Sequence, residues 1–363
     1  MKTILLFSAA LAVAAPAYAQ LPGVIRKGQA AKGKADQVKE TVGSFVFNDA
    51  EKAELGGQIS AMLRDRFGVV QDRNVTKYVT LVGLTVAKSS TQPAQPWQFI
   101  VLDTDGINAY AAPGGFVHIT RGALAFLQSE AELAGVLGHE IGHVIGNHTV
   151  NAIRKGKAVE AGANVTRSQF LQLVADKAFK MVFENAFDRG DEIDADNHGV
   201  TAAGKAGYSA TSLSDFLNRL GERNKGNPDR NGLFSSHPDL NARNDRIAKT
   251  AKDGKLASTA LVAARFKSNV TYKPIPMSAI ATVAPPAAAD DAKPAEAKKP
   301  GLGLGSVKNA LSSGTQRNSS QAVASAGARG VTPDRDAKGG PVKTAVKVTV
   351  SAAELASFKT GIS

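Results

Sequence analysis

Two stretches of apolar residues at helical spacing open the globular part of the chain. Leu55, Ile59, Met62, Leu63 and Phe67 recur every three or four positions, and Val75, Tyr78, Val79, Val82 and Val86 repeat the pattern. Each set predicts one helix with a single buried face. The period then shortens. "WQFIVLD" from Trp97 is aromatic and β-branched and predicts a strand, and Pro113-Gly114-Gly115 turns the chain into "FVHIT", a second strand. Helical spacing returns with Leu133, Val136, Leu137, Ile141 and Val144, behind a Ser129/Glu132 pair that resembles a capping box. Further helices are predicted over residues 165–187, 190–206, Ser212 to Leu220 and Ala242 to Thr250.

Outside this region the pattern fades at both ends. "MKTILLFSAALAVAAPAYAQ" has a charged start, an apolar run from Ile4 to Ala15 and Ala17-Tyr18-Ala19, the order of a secretory signal peptide over residues 1–19. Residues 20–46 are short of large apolar groups and are expected to form a flexible leader. The globular domain is expected over 47–250, with 251–281 as an extension packing on it. "APPAAADDAKPAEAKKPGLGLG" cannot bury enough apolar area to offset chain entropy, so 282–341 is expected to be a disordered linker. Its "GLGLG" has neither strand nor helix around it and is not a nucleotide loop. "AVKVTVSAAELASFK" regains alternation, and its Ser351/Glu354 pair predicts a small strand-helix element over 342–363. No second apolar stretch of spanning length follows the first, so no transmembrane segment is expected after signal cleavage, and the protein is expected to be exported to the periplasm.

Composition narrows the chemistry. The 363 residues are 43% hydrophobic, enough for one sizeable core, and contain no cysteine. That excludes disulfides, thiol catalysis and cysteine-ligated zinc. The net charge of +12 suggests nucleic acid until it is located: residues 251–363 hold 16 Lys and Arg against 7 Asp and Glu, and so carry +9 of it. The globular part is close to neutral. No nucleic-acid partner is expected, and the basic tail offers at most a loose contact with an anionic envelope surface.

The chemistry is concentrated in "LGHEIGHVIGNHT", Leu137 to Thr149. His139 and His143 are four apart, so on a helix both imidazoles reach one ion from the same face. Glu140 falls beside that face, where a carboxylate can take a proton from water held at the metal. A chance match to H-E-x-x-H occurs in roughly one per cent of chains this long, but the apolar helix around the motif is the setting the chemistry needs. A third ligand is not at hand. His148 misses the third-histidine spacing by one residue, and a continuing helix would turn it to the opposite face, to the surface or to a position behind the ligands. "DRGDEIDADNHGV", Asp188 to Val200, offers Glu192, Asp194, Asp196 and His198. Glu192 and Asp196 share a helix face, so that one can bind metal while the other orients a histidine. Spacing does not choose among them.

Four motifs in order do. "DGINAYAAPGGFVHITRGAL" (Asp105 to Leu124), "SEAELAGVLGHEIGHVIGNH", "DEIDADNHG" and "SSHPDLNAR" (Ser235 to Arg243) resemble zinc metallopeptidase family 48, which takes in HtpX-like heat-shock proteases, CAAX prenyl proteases and exported BepA-like proteases. The resemblance runs from about Phe47 to Ala248. It implies a mainly helical α+β fold of the zincin, gluzincin type, with a small β-sheet and an active-site helix carrying the two histidines. It implies one zinc per chain on His139, His143 and Glu192, with Asp196 supporting Glu192, Glu140 as general base, and His237 and Arg243 lying over the metal. His237 or Arg243 then donates to the developing oxyanion, or His237 instead occupies the open metal position and latches the enzyme. Asn108 belongs to the shared motif, with no role that spacing explains.

The expected function is that of a zinc-dependent endopeptidase of the cell envelope, hydrolysing unfolded or misassembled proteins. Substrate is expected to enter as an extended strand paired with Gly115, Phe116, Val117, His118 and Ile119, because the Pro-Gly-Gly entry leaves backbone groups available. The competing reading is a latched, largely non-proteolytic chaperone or assembly factor for envelope proteins.

Overall fold

The computed structural model of the chain describes residues 47–155, 167–184, 187–225, 240–276 and 342–362. The signal peptide and leader expected over 1–46, the linker expected over 282–341 and His237 lie outside the described residues. The helices are α1 (Asp49–Phe67), α2 (Arg73–Lys88), α3 (Arg121–Phe126), α4 (Glu130–Ile145), α5 (His148–Lys155), α6 (Arg167–Glu184), α7 (Arg189–Ala206), α8 (Ser212–Asn224), α9 (Leu240–Asp253), α10 (Ala263–Asn269) and α11 (Ala352–Thr360). Three strands, β1 (Gln98–Leu102), β2 (Ala109–Ala112) and β3 (Phe116–Thr120), complete a mainly helical α+β architecture. None of the described helices is long and apolar enough to cross a membrane.

The sheet has the order β1-β3-β2, with β3 parallel to β1 and antiparallel to β2. Its side chains alternate between two cores, as the two-residue repeat of a strand requires. Phe99, Val101, Ala109, Ala111, Val117 and Ile119 join the core built from α2, α4, α7 and α8. Ile100, Leu102, Tyr110 and Ala112 join α1, α5 and α6 on the other face. Both faces are therefore covered, and α4 runs through the interior.

This topology corrects the substrate-strand expectation. Both edges of β3 are spent on β1 and β2, so no peptide can add to Phe116, Val117, His118 or Ile119 while the sheet is intact, and Gly115 lies in the turn before the strand. His118 belongs to the far face: its Nε2 lies 2.9 Å from the Ser60 hydroxyl of α1, and burial pushes its pKa down to about 3. The strand that displaced the expectation, β2, gives no β-branched signal; Ala109-Tyr110-Ala111-Ala112 becomes a strand through pairing with β3. Asn108 starts that pairing. Its backbone N–H donates to Thr120 Oγ1 at 3.0 Å, its carbonyl accepts from the Thr120 N–H at 3.0 Å, and its own side chain accepts from the Ala109 N–H at 2.9 Å.

The approach of α4 to α7 positions the site. Gly138 and Gly142 sit four apart on α4 and face Gly199 and Ala195 of α7. A Cβ on Gly142 would come within 2.6 Å of the Ala195 carbonyl oxygen, and one on Gly199 within 2.5 Å of the Gly138 carbonyl carbon. Only bare backbone allows the two helices this close. Ser129 caps α4, accepting from the Glu132 N–H. Glu132 does not close the expected box; it accepts from the Gln128 N–H and holds Arg219 of α8 through two bonds of 2.7 and 2.8 Å.

Candidate metal centre

Because α7 lies against the histidine face of α4, a carboxylate from fifty residues downstream meets the two imidazoles. His139 Nε2 and His143 Nε2 are 3.0 Å apart, Glu192 Oε1 is 3.4 Å from the latter and Glu192 Oε2 3.6 Å from the former. All three side chains are 3% exposed or less. They are the group of metal-binding side chains that converges among the described residues.

The donor set fits a tetrahedral divalent ion. At zinc–ligand bonds of 2.0–2.1 Å, the edge of a tetrahedron is about 3.3 Å; the two imidazole nitrogens are 3.0 Å apart, and each has one oxygen of the Glu192 carboxylate at 3.4 or 3.6 Å. Both histidines also carry their second nitrogen on a partner that fixes the tautomer. His139 Nδ1–H donates to Asp196 Oδ1 at 2.9 Å, leaving the Nε2 lone pair facing the centre. Burial, with the Arg243 guanidinium adding to it, holds the His139 pKa down at about 3, so the ring is neutral, as a ligand must be.

His143 reaches its carboxylate through an intermediary. Its Nδ1 lies 2.9 Å from His148 Nδ1, and His148 Nε2 lies 3.1 Å from Asp194 Oδ2. A carboxylate only accepts, so the His148 proton sits on Nε2; its Nδ1 then accepts from His143 Nδ1–H, and the His143 Nε2 lone pair faces the centre. Burial pushes the His148 pKa down and keeps that ring neutral. Phe187 stacks on the His143 ring at 4.2 Å between centroids.

His148 reaches this place because α4 stops. Gly146 caps the helix, Asn147 takes a left-handed φ of 53°, and α5 begins at His148 itself. A continuing helix would turn His148 to the opposite face; the stop at Gly146-Asn147 brings it instead behind His143, one of the two positions expected for it.

Asp196 and Arg243 form the floor behind the ligands. Arg243 Nε and Nη2 donate to the two Asp196 oxygens at 2.9 and 2.8 Å, and Nη1 lies 3.5 Å from Glu192 Oε2. Burial alone would raise the Asp196 carboxyl, but the Arg243 charge and the His139 bond outweigh it and hold it below the usual carboxylate range. Arg243, expected over the metal, is 1% exposed and lies behind the ligands, with Nε and Nη2 taken by Asp196. Glu140 is buried beside the ligands, and burial, opposed by His143 and reinforced by Glu192, pushes its carboxyl up to about 7. Asp194 serves His148, and His198 lies 3.6 Å from Asp194, outside the converging group.

Residues 74–251 match the sequence profile described as Peptidase family M48. The chain is 27% identical over 179 residues to a putative beta-barrel assembly-enhancing protease of Vibrio cholerae, an alignment covering 46% of this chain and 37% of that protein. It is 27% identical over 156 residues to the mitochondrial metalloendopeptidase OMA1 of Arabidopsis thaliana, covering 42% and 31%. With metalloprotease LoiP of Escherichia coli it shares 22% identity over 209 residues, covering 55% of this chain and 80% of that one. The chain thus spans well under half the length of the assembly-enhancing proteases it matches.

Proposed function

Because this chain carries a peptidase family M48 domain at residues 74–251, we propose that it is a zinc-dependent endopeptidase that hydrolyses unfolded or misassembled polypeptides in the cell envelope. The convergence of His139 Nε2, His143 Nε2 and the Glu192 carboxylate within 4.8 Å of one another carries this reading. Zinc held by these three would leave a coordination position open and supply a Lewis acid that polarises a scissile carbonyl and acidifies water.

The chain's own residues do the rest. Glu140 accepts the proton of the attacking water and returns it to the leaving amine. Asp196 and His148 keep the ligand imidazoles in the tautomer that offers Nε2, and Arg243 holds Glu192 and Asp196 in place. Extended substrate pairs with β2 rather than β3, since β2 is an edge strand and lies against α4. His237, which the family resemblance puts over the metal, is the residue that latches the open position or donates to the oxyanion. Export to the periplasm rests on the signal-peptide order of residues 1–19.

The test is cleavage of an unfolded protein such as casein by the full-length wild type and by Glu140→Gln. The variant should keep its zinc and lose at least about a hundredfold in rate. Wild-type rates in Glu140→Gln would refute the mechanism. A wild type that cleaves nothing but suppresses aggregation would favour the assembly-factor reading.

A further inference from the structure

Residues 342–362 are distant in sequence from everything they touch. Residues 342–350 form neither the strand expected there nor a helix; they lie along the C-terminal end of α1, the turn after it and the start of α2, held largely through their backbone carbonyls. The Val69 N–H donates to Val342 O at 2.7 Å, Arg64 Nη1 to Lys343 O at 2.9 Å, Gln71 Nε2 to Thr344 O at 3.1 Å and Arg73 Nη1 to Lys347 O at 3.0 Å. Two ion pairs, Lys343 with Asp65 and Glu354 with Lys77, flank the row. Val346 is the apolar side chain of this stretch that packs on the α1 core.

The second half is a helix with side-chain pockets. α11 has a complete capping box from Ser351 and Glu354 but only nine residues, too few to hold a helix in water by themselves. Its order therefore comes from the surface beneath it. Phe358 meets the Tyr78 ring edge-on at 6.1 Å and lies 4.0 Å beneath the Arg265 guanidinium, whose Nη1 donates to the Phe358 carbonyl at 3.0 Å. Ile362 is buried against Gly207, the left-handed residue that ends α7.

Arg265 connects this surface to the active-site helix. Its Nε and Nη2 donate to Glu130, the first residue of α4, at 2.7 and 2.5 Å. Glu130 is fully buried and also accepts from the hydroxyls of Tyr78 at 2.8 Å and Tyr208 at 2.7 Å. One guanidinium thus neutralises the carboxylate at the head of the helix that carries His139, Glu140 and His143, and the Phe358 ring and carbonyl cover it from the outside.

We propose that the α1–α2 groove and Arg265 form a peptide-binding surface, and that its ligand is the chain's own segment 342–362, held as a separable unit. Carbonyl-directed donors, flanking ion pairs and pockets for two apolar side chains are how a surface holds an extended peptide; the segment joins the main core only near its end, through Phe358 and Ile362. Seating of the segment closes Arg265 over Glu130, so the first turn of α4 responds to whether the surface is filled. The occupant is the segment of the same chain; a second copy of the chain presents the same residues and is the rival occupant.

The experiment uses the full chain with a specific-protease site inserted between residues 282 and 341, cut after folding. The two fragments should co-elute on size exclusion at about 10 μM, at the mass of one chain, because cutting the tether turns an intramolecular contact into a bimolecular one of micromolar strength. In the same cut protein, Phe358→Ala with Ile362→Ser should release the fragment and speed amide exchange in the first turn of α4 by about tenfold. Separation of the wild-type fragments overturns the proposal. So does retention of the doubly substituted fragment, or release that leaves α4 exchange unchanged. Elution at the mass of two chains overturns the same-chain occupant in favour of exchange between copies.

Discussion

Gly142 of α4 lies so close to Ala195 of α7 that a Cβ at position 142 would stand 2.6 Å from the Ala195 carbonyl oxygen. That approach lets Glu192, three residues before Ala195, come within 3.4 Å of His143 Nε2. The second variable residue of the His-Glu-x-x-His motif thus sets the distance between helices.

Gly142→Ala should therefore push α7 away. The overpacked interface is expected to cost about 1–3 kcal/mol of stability and to lower zinc affinity, because Glu192 and Asp196 move together. Urea denaturation and chelator competition on the same preparation read both effects. Wild-type stability in this variant would show that the helices are not in contact through these residues.

His148→Ala removes the partner of His143 Nδ1 without touching a ligand. Loss of such a partner is expected to weaken metal binding by about 10- to 100-fold. Competition against a zinc chelator measures this, and His148→Gln should recover part of the loss because its amide can still accept from His143 Nδ1–H. An unchanged affinity in the alanine variant would remove His148 from the centre.

The helices and the two histidine ligands were legible because helical periodicity and four-residue spacing act locally. Glu192 was legible only through the family resemblance: spacing alone does not choose between Glu192 and Asp196, and the meeting of Gly138 and Gly142 with Gly199 and Ala195 is what brings Glu192 to the imidazoles. For His148 the sequence left two positions open, the surface or behind the ligands, because extending α4 past Gly146-Asn147 misses the left-handed turn that brings it behind His143. β2 was hidden because Ala109, Ala111 and Ala112 have no strand preference, and without β2 the central place of β3 could not be seen. Arg265 and Phe358 gave no signal at all, since their contacts with Glu130 and Tyr78 cross long stretches of sequence.

His118 predicts an acid sensitivity away from the metal. Its pKa is about 3 in the folded chain, with burial as the main cause, against about 6.5 when unfolded. Between these values the unfolded state binds the proton and the folded state does not, so stability present above pH 6.5 is lost as pH falls toward 3. The loss from this residue alone is expected to be about 1.4 kcal/mol per pH unit in that window. His118→Gln, which retains a partner for Ser60, should show a shallower fall between pH 7 and pH 5 in urea denaturation. Identical slopes would mean that His118 is protonated or exposed in the native state.

The most direct measurement of the central claim is the zinc content of purified full-length protein after equilibration with a chelator. Wild type is expected to hold about one zinc per chain and Glu192→Ala far less, with His237→Ala retaining it, because the ligands are His139, His143 and Glu192. Equal zinc in wild type and Glu192→Ala would contradict the account and move the third ligand elsewhere.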